Sequence, residues 1–225
     1  MTGKPRFRFL LCDLDDTLYP ASAGVMPAVG RLIIRYMVER VGIPPDETQT
    51  LRRRYYQQYG TSMRGLILEY DIDPEDYLAF VHDLPLESYV QPNPALGTML
   101  SGIPLRRAVF TNASREHAER VLAILGVGQR FERIIDVRDF GFKSKPHPSA
   151  YRSILEILEA RPVECIMVED AAHNLAPAKA LGMTAVLVDG SSSPTACPTN
   201  EVDLCIGDIL HLADAIRPLL TSPDG

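Results

Sequence analysis

Short apolar runs separated by helical sequence constrain the fold of this chain more than any other feature. The runs cover 7–12, 106–110, 165–168 and 184–188, and helical sequence flanks each of them on at least one side. Strands that alternate with helices are typical of a parallel sheet covered on both faces. We therefore predict an α/β fold with a doubly wound parallel sheet.

The segment 20–92 breaks this alternation. It contains several helical patterns, among them a helix over 74–82 that Asp73 and Pro74 open, and it contains no convincing strand pattern. We interpret it as a helical insertion between the first and second strands. The predicted organisation is a core formed by 1–19 and 93–225, with 20–92 inserted into it.

Composition and charge disfavour several classes of binding partner. The chain has 225 residues and a formal net charge of -6, which disfavours binding to a nucleic-acid polymer. Its apolar runs are too short for a signal peptide or a membrane span, so we expect no membrane partner and a cytoplasmic location. The cysteines match no zinc or redox spacing and are expected to be reduced thiols: Cys12, Cys165, Cys197 and Cys205.

The first apolar run ends abruptly in Asp13-Leu14-Asp15-Asp16-Thr17. Ligands of open parallel sheets bind beyond the carboxyl ends of the strands, so these acids are expected at a binding site. Asp13 and Asp15 converge only if the chain turns as it leaves the sheet, and Asp16-Thr17 is plausible turn sequence. A divalent cation would relieve their repulsion, leaving Asp13 as a nucleophile and Asp15 as an acid and base.

Further polar residues are expected at the same edge of the sheet. Thr111 and Asn112 end the second strand, where a hydroxyl and backbone N–H groups could contact a phosphoryl oxygen. Lys145 lies in a stiff segment between prolines, where a lysine could neutralise phosphoryl charge, and Lys143 is the competing candidate.

An acidic pair completes the set. Glu169 and Asp170 directly follow the run 165–168, and with Asp13 and the carbonyl oxygen of Asp15 they would form an oxygen-rich site suited to Mg²⁺. Asn174 is expected to orient that site by hydrogen bonds. Each motif alone is common for structural reasons, so the prediction depends on the whole set and its order.

Four sequence segments carry a family resemblance. DLDDTLY, FTNA, KPHPSAY and VEDAAHNL, in that order, resemble the four motifs of the haloacid dehalogenase superfamily. The match falls on 13–17, Thr111, Lys145 and 169–170, and 20–92 is similar to the α-helical cap of that superfamily. The resemblance implies a Mg²⁺-dependent phosphomonoester hydrolase that forms an aspartyl-phosphate on Asp13 and acts on a small molecule.

A narrower resemblance lies in the cap. QYGTSMRGL and DYLAFVHDLPLESYVQPNPAL, together with TNASREHAERVLAILG, resemble the pyrimidine 5′-nucleotidase branch. This implies hydrolysis of pyrimidine nucleoside monophosphates such as UMP and CMP. The fourth motif departs from the DDSxxN pattern of the branch, since Glu169-Asp170-Ala171 stands in place of Asp-Asp-Ser, which affects contacts around the metal site.

Substrate contacts are predicted for Arg64 of the cap first, with Ser62 of the cap and Tyr19 behind it. Two histidines are assigned structural roles: His117 is expected to be partly exposed on a helix, and His82 to pack at the end of a cap helix. His173 is expected to lie near the acidic pair or on the surface.

Three other functions fit part of this pattern. One is a phosphatase or phosphomutase of the same superfamily acting on a sugar phosphate or phosphoglycolate. A dehalogenase is disfavoured by the acids at Asp15 and at 169–170. A receiver-like phosphoacceptor domain, which would not be an enzyme, also uses acids, Thr and Lys around Mg²⁺, but its acidic pair precedes the phosphorylated Asp and it has no cap.

Overall fold

A six-stranded parallel sheet lies at the centre of the computed structural model, which describes residues 7–190 and 202–221. The strands are β1 (Phe9–Cys12), β2 (Arg106–Phe110), β3 (Arg133–Ile135), β4 (Cys165–Glu169), β5 (Thr184–Val188) and β6 (Leu204–Ile206). Their order is β3-β2-β1-β4-β5-β6, and every neighbouring pair is parallel. The prediction of a doubly wound α/β fold is confirmed.

The four predicted runs form β1, β2, β4 and β5, whereas β3 and β6 were not predicted. Both missed strands are 3 residues long and lie at the edges of the sheet. Each has only one buried residue, Ile135 in β3 and Ile206 in β6. A segment this short shows no periodicity, so only its pairing with a neighbouring strand identifies it.

The chain between β1 and β2 is helical. It forms α1 (Val25–Glu39), α2 (Pro45–Tyr59), α3 (Ser62–Tyr70) and α4 (Pro74–Val81), with short 3-10 helices at Ala21–Ala23 and Leu86–Ser88. All of 20–92 is described, and no strand occurs in it. As predicted, the Asp73 side chain caps α4, accepting a hydrogen bond of 2.9 Å from the backbone N–H of Glu75.

Five further helices accompany the sheet: α5 (Pro94–Ser101), α6 (Arg115–Leu125), α7 (Pro148–Leu158), α8 (Ala172–Leu181) and α9 (Leu212–Thr221). Side-chain caps begin several of them, because a short polar side chain satisfies an N–H group that the first turn leaves unpaired. Asn93 caps α5, and Ser114 caps α6. Gly126, with φ of 74°, ends α6 in the left-handed conformation that favours glycine.

β1 occupies the middle of the sheet, between β2 and β4. All of its residues are buried, because strands pair with it on both sides and helices cover both faces. Its carboxyl end therefore lies between the ends of β2 and β4. This arrangement brings Asp13 close to Thr111 and Glu169, which are far apart in the sequence.

In the described residues, no helix combines the length and the apolar composition that crossing a bilayer requires. Cys12 and Cys165 are buried free thiols, and Cys205 is half-buried. The predicted Cys197 thiol lies outside the described residues.

Candidate active site

A sharp turn follows β1 and brings two acids to one cavity. Asp16 has a φ of 60°, and the backbone N–H of Leu18 donates to the carbonyl of Leu14 at 3.0 Å. Asp tolerates this left-handed conformation better than most residues do. Asp13 and Asp15 consequently both line a cavity of about 260 Å³ at the carboxyl end of the sheet. The turn predicted at Asp16-Thr17 is present.

Lys145 is buried beside Asp13 and Glu169. Its Nζ donates to Asp13 Oδ1 at 2.6 Å, to Glu169 Oε2 at 2.7 Å and to the backbone carbonyl of Phe110 at 2.9 Å. All three ammonium protons thus have acceptors. Lys143, the competing candidate, is exposed and does not line this cavity.

Asn112 holds the segment that carries Lys145. Its side-chain nitrogen donates to the carbonyl of Lys145 at 3.1 Å, and its side-chain oxygen accepts from the Lys145 N–H at 2.7 Å. Asn112 also lines the cavity, so the prediction that it contacts phosphate stays a prediction. The reciprocal bonds fix the backbone from which Lys145 reaches Asp13.

Thr111 directly follows β2, is buried and lines the same cavity. Its Oγ1 accepts a hydrogen bond of 3.0 Å from the backbone N–H of Ala113. Because that bond uses a lone pair of the hydroxyl oxygen, the hydroxyl proton stays available to a ligand in the cavity.

Burial and mutual repulsion raise the pKa values of two acids in this cluster. Burial, followed by the charge of Glu169, raises the pKa of Asp13 to about 7, although Lys145 opposes the shift. Burial likewise raises the pKa of Glu169 to about 7. One lysine therefore does not balance the negative charge of this cluster, and a further cation would stabilise it.

The donor set fits Mg²⁺. One carboxylate oxygen from each of Asp13, Glu169 and Asp170 lies within 4.8 Å of the others. The Thr17 hydroxyl reaches Asp13 Oδ2 at 3.2 Å and Asp170 Oδ1 at 3.3 Å. An all-oxygen set of this kind suits a hard divalent cation. Nearby, the side-chain oxygen of Asn174 is buried and has no hydrogen-bond partner among the described residues.

Asp15 is held differently from Asp13. The Tyr19 hydroxyl donates to Asp15 Oδ1 at 2.5 Å, and His117 Nε2 lies 2.8 Å from the same oxygen. Burial would raise the pKa of Asp15, but these two partners outweigh it and lower the pKa to about 2. The fold therefore shifts the pKa of Asp15 downward and that of Asp13 upward.

His117 is buried, which corrects the expectation of partial exposure. The signal was present in the sequence. In α6, the buried residues His117, Val121 and Leu125 recur at four-residue spacing, so His117 lies on the face that packs against the core. A polar residue at such a position usually has a buried partner, and here that partner is Asp15.

Segment 20–92 forms the opposite wall of the cavity. Its contribution is largely apolar, with Met26, Val29, Ile33, Met63, Tyr77, Leu78 and Val81. This segment is fully described, and none of its Lys, Arg, Asp or Glu residues lines the cavity. Ser62, whose predicted contact with substrate stays a prediction, lies in the lining. Tyr19 does not, and Arg64 lies in a neighbouring cavity with Lys143 and His147.

Polar contacts join 20–92 to the sheet side. Thr61 Oγ1 lies 3.1 Å from Ser144 Oγ, beside Lys145. The Tyr56 hydroxyl lies 3.0 Å from Nε2 of His173, which lines the cavity next to the acidic pair. These contacts hold the wall over the acids.

A haloacid dehalogenase-like hydrolase family model matches residues 7–182. The chain belongs to this family. The matched range includes every side chain described above at the acidic end of the sheet.

Among curated relatives of this hydrolase is phosphate metabolism protein 8 of Saccharomyces cerevisiae, 28% identical over 198 residues. That match covers 81% of the chain and 62% of the yeast protein, so the chain spans less than two thirds of that relative. The plasmid phosphoglycolate phosphatase of Cupriavidus necator is 25% identical, with 95% of each chain covered.

A solved structure supports the fold of the hydrolase. The crystal structure of a HAD phosphatase from Thermococcus onnurineus superposes with a TM-score of 0.62 and covers 95% of this chain and 98% of its own. Sequence identity is 20%, so this likeness concerns the fold alone.

Proposed function

We propose that this hydrolase is a Mg²⁺-dependent phosphatase that cleaves phosphomonoesters through an aspartyl-phosphate on Asp13. The observation that carries the proposal is the placement of Asp13, with its Oδ1 2.6 Å from Lys145 Nζ and its carboxylate within the acidic cluster of Glu169 and Asp170. A nucleophilic carboxylate beside a buried cation and a cation site matches the needs of phosphoryl transfer.

The catalytic residues would act in two steps. Asp13 attacks phosphorus and the bond to the leaving oxygen breaks. Asp15, which must carry a proton when this step begins, gives that proton to the leaving oxygen and becomes a carboxylate. Lys145 and the Thr111 hydroxyl stabilise charge on the phosphoryl oxygens. In the second step, the Asp15 carboxylate takes a proton from water as the water attacks phosphorus, which releases phosphate and regenerates Asp13.

Asp13 and Asp170 are the proposed side-chain ligands of Mg²⁺, with the Asp15 carbonyl and Glu169 completing the site. Asp13 Oδ1 and Glu169 Oε2 each also accept a hydrogen bond from Lys145, at 2.6 Å and 2.7 Å respectively. Bound Mg²⁺ supplies positive charge that neutralises the acids and stabilises the phosphoryl group. We propose that Asn174, whose side-chain oxygen is unpartnered, orients this site.

We further propose a division of the chain into a catalytic core, 1–19 and 93–225, and a cap, 20–92. The cap would exclude water from the cavity and select the leaving group. Its continuous run of helices and its contacts at Thr61 and Tyr56 support this division.

Pyrimidine nucleoside 5′-monophosphates are the proposed substrates. Their selection is inferred from the cap segments around QYGTSMRGL, and the cavity lining supports it. A leaving group with a second anionic group would be desolvated against a cap wall without Lys or Arg, whereas an uncharged nucleoside would not suffer this penalty. Ser62, which lines the cavity, replaces Arg64 as the first candidate for contact with the base.

A phosphatase for phosphoglycolate or a sugar phosphate is the alternative. Similarity to the phosphoglycolate phosphatase of Cupriavidus necator over 95% of the chain favours it. The apolar cap wall opposes the carboxylate of phosphoglycolate, since that group would be buried there without a partner. Sugar phosphates lack such a carboxylate, so within this alternative they fit the cavity better than phosphoglycolate does.

A panel of phosphomonoesters tests the proposal. Purified protein with Mg²⁺ should hydrolyse UMP and CMP faster than AMP, GMP and phosphoglycolate, measured as phosphate release. Faster hydrolysis of sugar phosphates or phosphoglycolate would overturn the nucleotidase assignment and leave the phosphatase assignment intact. Absence of phosphate release from every monoester, p-nitrophenyl phosphate included, would overturn both.

A further inference from the structure

We infer that His117, braced by His82 of the cap, is a positioning residue that fixes the carboxyl group of Asp15 for proton transfer. The inference rests on the proposed role of Asp15 as acid and base. It adds a connection between the cap and the proton-transfer group, through two histidines that the four sequence motifs do not include.

The geometry at Asp15 singles out one oxygen. Both hydrogen bonds, from Tyr19 and His117, engage Oδ1. Among the described residues, no hydrogen bond engages Oδ2, and Asp15 lines the catalytic cavity. Anchoring one oxygen by two partners fixes the plane of the carboxyl group, so Oδ2 is the oxygen presented to the leaving group and to water.

His117 is suited to this task because it has no other polar partner. Its side chain is fully buried, and its Nδ1 makes no hydrogen bond with any described residue. A proton on Nε2 can be donated to the Asp15 carboxylate, whereas a proton on Nδ1 would be buried without an acceptor. Nε2 is therefore the ring nitrogen that can donate to Asp15.

His82 links this arrangement to the cap. It directly follows α4, and its ring stacks on the ring of His117 with centroids 4.4 Å apart and an interplanar angle of 26°. Its Nδ1 lies 3.1 Å from the hydroxyl of Ser114, the residue that caps α6. The backbone carbonyl of His82 accepts a further bond of 3.1 Å from Arg120 of α6.

These contacts make the orientation of Asp15 depend on where α4 lies. While His82, at the end of α4, stays in contact with α6, its ring covers the His117 ring and restricts its rotation. If α4 moved away, His117 would lose that cover and Asp15 would lose its fixed partner. Proton transfer would then be efficient only with the cap seated, when water is also excluded.

Leaving groups of different acidity provide the test. An alkoxide needs a proton as it leaves, whereas p-nitrophenolate leaves without one. The first test substrate is whichever alkyl phosphomonoester the unaltered protein hydrolyses fastest, and the second is p-nitrophenyl phosphate. The test therefore holds whichever substrate class is correct. His117→Leu should lower kcat/KM for that monoester by about 10²-fold, within the usual range of general acid–base catalysis. For p-nitrophenyl phosphate, kcat/KM should change less than about threefold.

The second step gives an independent measurement. Since water attack also needs Asp15, His117→Leu should make hydrolysis of the aspartyl-phosphate rate-limiting. Rapid mixing with p-nitrophenyl phosphate should then show a burst of p-nitrophenol equal to the enzyme concentration. His117→Gln, which can donate a hydrogen bond to Asp15, should recover at least about tenfold of the lost kcat/KM on the alkyl monoester.

Val121→Ala, on the same buried face of α6, is the structural control. It should lower the melting temperature without changing the ratio of the two kcat/KM values. Equal losses on both substrates in His117→Leu, without a burst, would overturn the inference. If His117→Leu does not fold, His82→Leu takes its place with a smaller expected change in the ratio, and an unchanged ratio would again overturn it.

Discussion

The two walls of the catalytic cavity differ in charge. The wall at the end of the sheet carries five acids and one lysine: Asp13, Asp15, Asp16, Glu169, Asp170 and Lys145. The wall from 20–92, all of which is described, contributes mainly apolar side chains with a few polar ones, among them Thr61, Ser62 and His82, and no Lys, Arg, Asp or Glu. We infer that the first wall performs the chemistry and that the second excludes water and selects the leaving group by shape.

Burial affects both walls in the same direction, toward the uncharged form of each group. On the sheet side, burial raises the pKa of Asp13 to about 7. On the cap side, burial and the neighbouring His117 lower the pKa of His82 to about 3. Asp15 escapes this trend because His117 and Tyr19 bond to it. A buried charge therefore persists here only where a partner holds it.

Asp13→Asn should have the largest effect, because it removes the nucleophile. We expect turnover of every monoester to fall on the order of 10⁴-fold or more. The measurement is phosphate release, with circular dichroism and thermal unfolding as controls for the fold. Trapping of a phosphoryl or fluoroberyllate adduct on a residue other than Asp13 would contradict the assignment.

Lys145→Met and Lys143→Met form a matched pair that separates a buried lysine from an exposed one. Lys145→Met leaves Asp13 and Glu169 buried without their cation, so kcat should fall by about 10²–10³-fold and stability by about 3–5 kcal/mol. Lys143→Met should change both by less than about twofold and 0.5 kcal/mol, respectively. Equal effects of the two changes would remove Lys145 from the mechanism.

Mg²⁺ and protons should compete for the carboxylates of the acidic cluster. Asp13 and Glu169 have pKa values of about 7 in the fold, against roughly 4 in the unfolded chain. The folded protein therefore binds more protons over this interval, and without metal its free energy of unfolding falls as pH rises from about 4 to 7. The lowered pKa of Asp15 acts with the opposite sign, but only below about pH 4.

The measurement for this prediction is the melting temperature with EDTA or with Mg²⁺. At about 100 times its Kd, Mg²⁺ should stabilise the fold by about 2.7 kcal/mol, or roughly 5–10 °C, at about pH 8. The shift should be smaller at about pH 5, where protons occupy the site. An equal shift at both pH values, or an undiminished shift in Asp170→Asn, would contradict the proposed site.

The sheet was predictable from sequence because β1, β2, β4 and β5 are continuous apolar runs in a chain of alternating elements. Acids at the ends of β1 and β4 were expected to lie close together, because the carboxyl ends of parallel strands meet at one edge of the sheet. The structure brings Asp13, Glu169 and Asp170 together. The edge strands β3 and β6 were missed, since their identity depends on pairing with β2 and β5.

Contacts across the cap were the part that sequence could not supply. Which face of α3 meets the cavity depends on how α2 and α3 pack, so the sequence did not distinguish Ser62, which lines the cavity, from Arg64, which lines a neighbouring one. His117 was a different kind of error. Its spacing with Val121 and Leu125 indicated a buried position, but its partner Asp15 is 102 residues away in the sequence.

Ser62→Ala and Arg64→Ala should have the smallest effects and locate the contact with the base. Ser62 is buried and lines the cavity, so loss of its hydroxyl should lower kcat/KM for UMP by about tenfold, which corresponds to one net hydrogen bond. The value for p-nitrophenyl phosphate, which has no base, should stay within about twofold. Arg64→Ala should leave the ratio of the two values unchanged, because Arg64 lies in the neighbouring cavity.

The same pair of variants also tests the contrast between the two walls. If Arg64→Ala lowers kcat/KM for UMP and spares p-nitrophenyl phosphate, the cap presents a cation to the substrate after all, and it moves on binding. If Ser62→Ala lowers both values equally, its hydroxyl serves the packing of α3. Specific loss in Ser62→Ala alone would mean that an uncharged cap reads the base through a hydroxyl, while every charged contact stays at the end of the sheet.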